Sequence, residues 1–182
     1  MHRTILCFFL IVVTTCTICG APAYAAKEFL TEAEITSIRK AQVIDERVHA
    51  YMRAAALRLQ TAKERLVGKE SKEGDPLEFF TPEEMLDGYN RILQSVMTNL
   101  DEAFRSGRNQ QITLDALTIL QLSAKSALEQ LKTIKKLAEK KEKEKLWDLV
   151  NEAIELTDGA YKGAEEGLTR LSAPPGKKQP QE

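Results

Sequence analysis

Glu46-Arg47-Val48-His49 is a stretch of this 182-residue chain whose residue types and spacing could bind a metal. A glutamate and a histidine three residues apart on a helix point to one side, the E-x-x-H spacing of di-iron carboxylate bundles. Such a centre needs the motif on two helices and a further glutamate from each of two others. The only other histidine is His2, in the leader segment described below, so one subunit cannot complete the set. His49 also sits on the flank of its apolar stripe, beside Val48, where a solvated side chain is the ordinary outcome. Paired with Met52 it suggests axial haem ligation, but no His or Met follows residue 97 to supply a ligand from the C-terminal helix. Met85 and Met97 lie on or beside apolar stripes, where methionine is filler. No metal or other cofactor is expected.

Nucleophilic chemistry is equally poorly supplied. All three cysteines, Cys7, Cys16 and Cys19, lie within the first 25 residues, which have the order of a secretory leader. A cationic start at His2 and Arg3 precedes an apolar run from Ile5 to Val13, and Ala23 and Ala25 flank Tyr24 as an A-x-A cleavage site. Cleavage after Ala25 leaves a chain without thiols, disulfides or cysteine-ligated zinc, and places it outside the cytoplasm, secreted or periplasmic. Cys16-Thr17-Ile18-Cys19 spells C-x-x-C, but Gly20 follows where haem attachment needs His. Val13-Thr14-Thr15-Cys16 loosely resembles a lipobox, yet Thr15 stands where Gly, Ala or Ser is favoured, so a lipid anchor at Cys16 is the lesser expectation. No serine motif flanks His49, and the paired acids Glu83 with Asp87, and Asp101 with Glu102, have the positions of helix-dipole and solubility charges. The chain reads as noncatalytic.

Two features suit contact rather than reaction. Gly159, Gly163 and Gly167 recur every four residues beside Ala160 and Ala164. Each glycine costs a helix about 1 kcal/mol against alanine, and helical geometry puts the three roughly 120° from the centre of the apolar stripe, outside the intramolecular seam. These five residues form a possible interface with another envelope or secreted protein, or with a second copy as a homodimer; the plain alternative is a weak solvent-facing helix. The run 132–145 holds seven lysines and three glutamates, a solvated helix tip or a contact for an anionic surface.

Helices must position all of these. Thr31-x-x-Glu34 is a capping box with Leu30 and Ile35 as its hydrophobic staple, so a short helix opens at Thr31. The pattern stumbles at residues 42–44, where Asp45 can cap a second helix whose stripe runs Val48, Met52, Ala55, Leu59, Ala62 and Leu66 before Gly68 stops it. Breakers and charge make 68–80 a loop, whose Phe79 and Phe80 are too apolar to leave in water. Thr81-Pro82-Glu83-Glu84 repeats the capping design for a third helix carrying Met85, Tyr89, Ile92, Leu93, Val96, Leu100 and Phe104, stopped by Gly107. Residues 109–157 contain neither Gly nor Pro, and the seven consecutive charges at 139–145 read as a turn between two further helices. Unbroken from 110 to 171, the pattern would be a helix of roughly 90 Å, long for a small domain. The second half of its stripe runs Leu146, Trp147, Val150, Ala153, Ile154, Thr157, Ala160, Ala164, Leu168 and Leu171.

The fold class expected is all-α: an antiparallel bundle of four long helices preceded by a short N-terminal one, over residues 26–171, with 172–182 a disordered Pro-, Lys- and Gln-containing tail. Losing Arg3 with the leader leaves 25 basic against 27 acidic residues, well mixed, so nucleic acid has no electrostatic claim on the chain. After Val13 no apolar stretch approaches the roughly 20 residues of a membrane span. Phe29-Leu30-Thr31-Glu32-Ala33-Glu34-Ile35-Thr36-Ser37-Ile38-Arg39-Lys40-Ala41-Gln42 resembles the FLTxxEIxxIRxAQ start of a group of uncharacterised, predicted-secreted helical proteins of acidobacterial type. That resemblance implies a short helix followed by several long ones and supplies no site residues. The function expected is protein binding or self-association. The alternative is carriage of a metal or an apolar ligand in the core, the latter lined by aromatics such as Tyr51, Phe79, Phe80, Tyr89, Phe104, Trp147 and Tyr161.

Overall fold

The computed structural model describes residues 29–107 and 109–172. The leader with Cys16, its cleavage site, and residues 173–182 of the tail lie outside the described residues.

Thr31 caps α1 (Glu32–Lys40) as its spacing predicts: its Oγ1 accepts the Glu34 N–H at 3.3 Å, and Glu34 Oε2 accepts the Thr31 N–H at 2.7 Å. α2 (Ile44–Leu66) starts earlier than expected. Val43 is its N-cap, without a side-chain bond, and Asp45 lies inside the first turn, where its charge complements the helix dipole. Glu46 Oε2 accepts the Gln42 N–H at 3.3 Å, which tethers the residue before the cap and leaves the first-turn N–H groups without a side-chain cap. α2 ends in a Schellman turn at Gly68 (φ 84°), with the Lys69 N–H on the Glu64 carbonyl and the Gly68 N–H on that of Arg65. The Thr81 box and Pro82 start α3 (Pro82–Ser106), and Gly107 ends it at φ 60°.

The charged run 139–145 is indeed a turn, between α4 (Gln110–Lys140) and α5 (Glu144–Ser172). It too is a Schellman motif: the Lys143 N–H reaches the Ala138 carbonyl, the Glu142 N–H that of Glu139, and Glu142 takes the left-handed conformation usually left to glycine. α5 runs through Ser172, one residue into the stretch expected to be tail.

The described residues form an all-α bundle, with no strand among them. α2 packs on α3 and α4, and α5 on α4 and α3; the consecutive pair α3 and α4 sit diagonally and touch sparsely. Successive helices run antiparallel, yet two neighbouring pairs around the ring run parallel. Lys143, just before α5, reaches Glu83 in the first turn of α3 at 3.6 Å, and Gln110, opening α4, donates to the carbonyl of Leu171 at the end of α5. The bundle is thus two antiparallel hairpins, α2–α3 and α4–α5, laid side by side.

Leu59, Leu66, Met85, Leu86, Ile92, Leu93, Leu131, Ile134 and Leu146 fill the core. In its middle the Tyr89 hydroxyl meets Thr157 Oγ1 at 2.7 Å, and Thr157 donates onward to the Ala153 carbonyl. α1 lies back along α2, held by a buried ion pair. Arg58, 1 % exposed, donates from Nη1 to Glu34 Oε1 (2.9 Å), and from Nη2 to Glu34 Oε2 (2.7 Å) and to the Phe29 carbonyl (2.8 Å). The Arg91 guanidinium lies 4.5 Å from the Phe29 ring centre and closes the same corner.

Candidate functional site: a trench between α3 and α5

The loosest edge of the ring, between α3 and α5, opens into a cavity of about 310 Å³. α3 supplies Met97, Leu100 and Phe104 to its walls, and α4 supplies Leu117 and Leu120 from behind. The α5 wall is Gly159, Ala160, Gly163, Ala164 and Gly167. The opening follows from the sequence: glycines on the α5 flank present no side chain where α3 would otherwise be met. A Cβ added at Gly159 or Gly163 would meet nothing within 4 Å. Phe104 stays 39 % exposed on the lip, and Asp101, Glu166 and Arg170 stand at the rim. Asp101 pairs with Arg105 at 3.6 Å and Glu166 with Arg170 at 3.7 Å, all four well exposed, so the rim is polar and nearly balanced.

The five residues expected to form one outer interface therefore divide. Gly159 and Gly163 are exposed, but Ala160 and Ala164 are buried in the core, and Gly167 is buried on α4, where a Cβ would sit 3.0 Å from Leu117 Cδ1. For Gly167 this corrects the expectation of a position outside the intramolecular seam. The α5 stripe closes its last turns with Gly167 rather than Leu168, because 3.6 residues per turn carries the buried face from Ala160 and Ala164 onto 167.

Other candidates disperse. Glu46 and His49 are both exposed on α2, and no group of three or more His, Cys, Asp or Glu is placed to hold a metal ion among the described residues. Of the aromatics proposed for a pocket, only Phe104 reaches the trench. Phe79, expected to be covered, is 79 % exposed, because Phe80 takes the inward position and packs against the core. Trp147, 38 % exposed, donates from Nε1 to Glu139 Oε1 at 3.2 Å, with the Lys135 ammonium 5.0 Å from its ring centre. The lysine-rich tip faces the acidic α2–α3 loop, where six acids and two lysines occupy 69–84. Besides the Lys143–Glu83 pair, Lys141 and Lys143 share a cavity of about 370 Å³ with Glu78 and residues 79–82. Of the lysines at this tip, Lys143 is thus met by an acid of the α3 start. No helix among the described residues is long and apolar enough to cross a membrane.

Sequence reasoning missed the Arg58–Glu34 clamp and the Tyr89–Thr157 pair. Arg58 carried a signal, since it lies four residues from both Ala54 and Ala62, on a buried flank of α2 where a solvated cation has no place. Comparison with family models, curated proteins and solved structures finds no match to this chain.

Proposed function

We propose that this protein works without catalysis, as a secreted or periplasmic helical bundle that binds another envelope protein or a second copy of itself through the trench between α3 and α5. One observation carries the reading. Gly159 and Gly163 face open space on a long helix, where alanine would fit and would stabilise the helix by about 1 kcal/mol each. Within one chain nothing offsets that cost; a bound partner approaching the bare backbone would. The leader-like first 25 residues, and the resemblance of residues 29–42 to a predicted-secreted group, support the placement outside the cytoplasm. The near-neutral, mixed charge of the chain argues against nucleic acid.

A second reading rests on the trench floor. Met97, Leu100, Leu117 and Leu120 would accept an apolar chain such as a lipid acyl group. A native mass spectrum of the chain secreted from a bacterial host, never denatured, separates the two. Protein–protein complex mass that Gly163→Leu abolishes is the expected result. Small-molecule mass lost on denaturation would replace it with the carrier reading, and a bare monomer in both proteins would remove both.

A further inference from the structure

α1 is the least securely held helix of the bundle. Of its nine residues only Ile38 is buried, and among the helices it packs on α2 alone. A helix shorter than about 12 residues is marginal in water by itself, so α1 is helical because it is docked. Its Glu34–Arg58 pair gains little net, since both charges leave water to form it. The link to α2, from Ala41 to Val43, is extended and tied by long hydrogen bonds, one from Arg47 Nη2 to the Ala41 carbonyl at 3.4 Å and one from the Gln42 N–H to Glu46 Oε2 at 3.3 Å. α1 is thus the element freest to open.

The seat it occupies on α2 is built to read an acid. Arg58 grips both oxygens of one carboxylate, at 2.9 and 2.7 Å, and its Nη2 also holds the carbonyl of Phe29, five residues before that acid. The Phe29 ring lies under Arg91, and its Cβ is 3.8 Å from where a Cβ on Gly88 would stand. α1 fills this seat incompletely. Arg58 Nε, on a side chain 1 % exposed, has no hydrogen-bond partner among the described residues. Beside α1 lies a cavity of about 490 Å³, bordered by Ala33 and Ser37 of α1 and by Ala50, Ala54 and Leu57 of α2. Ala33 and Ser37 are one turn apart on one flank, and such small side chains leave Leu57 44 % exposed.

We propose that the α1 seat is a docking site for a helix of another protein, with α1 as a strap that this helix displaces. The helix it fits carries an aromatic residue, a glutamate five residues later and a large apolar residue three further on. The site lies outside the trench and stands independently of the reading above. Recognition is of the helix-in-groove kind. Because the incoming glutamate replaces Glu34, the Arg58 guanidinium is paired in both states, and neither state strands a buried charge. The large apolar residue takes the place of Ser37 and covers Leu57, so apolar burial decides between the two helices.

Fluorescence anisotropy of the full chain with a labelled, N-acetylated peptide of residues 29–42 carrying Ser37→Leu tests this. The peptide is expected to bind, and to bind about tenfold more tightly when the chain carries Glu34→Ala, which frees the seat. Glu34→Gln in the chain, which keeps a capping side chain, supplies the same comparison should Glu34→Ala unfold. Further changes are made in the peptide, where they leave the fold of the chain untouched. Glu34→Gln or Phe29→Ala in the peptide should each weaken binding about tenfold, and so should keeping Ser37. No binding to a freed chain that retains its helical circular dichroism overturns the proposal, as does binding indifferent to both Glu34→Gln and Phe29→Ala in the peptide. Equal affinity for the wild-type and freed chains removes the strap. A peptide that keeps Ser37 and binds as tightly as the Ser37→Leu peptide overturns the assignment to another protein, since the seat is then matched to α1 itself, from this chain or a second copy.

Discussion

Tyr89 shows how much one hydroxyl controls in an otherwise apolar core. Its ring is fully buried, and burial pushes the phenol up to about 12, partly offset by its hydrogen bond with Thr157. The phenol is neutral in the fold and ionises earlier in the unfolded chain. Its contribution to stability is therefore complete below about pH 10 and is lost as pH rises through about 12. Tyr89→Phe should flatten that alkaline loss relative to wild type in urea unfolding at pH 9 to 12, while costing only about 1 kcal/mol at neutral pH, since Thr157 keeps the Ala153 carbonyl. Equal slopes in the two proteins would mean that Tyr89 is not the group responsible. The pair was illegible in the sequence because Tyr89 and Thr157 each sit on an apolar stripe. Only the side-by-side placement of α3 and α5, which periodicity does not encode, brings them within 2.7 Å.

At the scale of the helix, start and stop signals were the legible part: the capping boxes at Thr31 and Thr81 and the stops at Gly68 and Gly107 all fall where residue chemistry puts them. Stripes were legible to within a residue. Their edges were not, since on α4 Leu117 and Ala124 are buried while Ser123 is only partly so, and which neighbour a flank meets depends on the ring order. The same ring order splits the α5 glycines, and it predicts different responses to one substitution. Gly159→Ala and Gly163→Ala should each stabilise the monomer by about 1 kcal/mol, whereas Gly167→Ala should gain little or lose stability, because Leu117 must give way. Thermal unfolding of the three variants in dilute solution checks this order. α1 depends on one buried cation. Arg58→Met strands the Glu34 carboxylate and should cost about 3 kcal/mol, with the amides of α1 losing hydrogen-exchange protection first. Adding Glu34→Gln keeps a capping side chain without a stranded charge and should recover part of the loss; no recovery would mean that Arg58 acts by packing alone.

Across the whole molecule, length and patterning were enough for the all-α class and for the fold-back at 139–145, since an unbroken helix there would have left its apolar stripe without a partner. The diagonal placement of α3 and α4 was not readable, because short links fix antiparallel direction but leave open which neighbours become adjacent. That arrangement has a practical consequence. Each hairpin is a self-contained half, and the two halves meet through the extensive α2–α4 contact and the sparser α3–α5 one, joined covalently only between Gly107 and Asn109. A cut in that link severs none of the helix-to-helix packing that holds the halves together. Two peptides, residues 26–107 and 109–172, produced separately and mixed, should be weakly structured alone and recover the helical circular dichroism of the intact chain on titration to equal amounts. If they stay unstructured when combined, the short link is needed to bring the halves together, and the chain cannot serve as a split reporter.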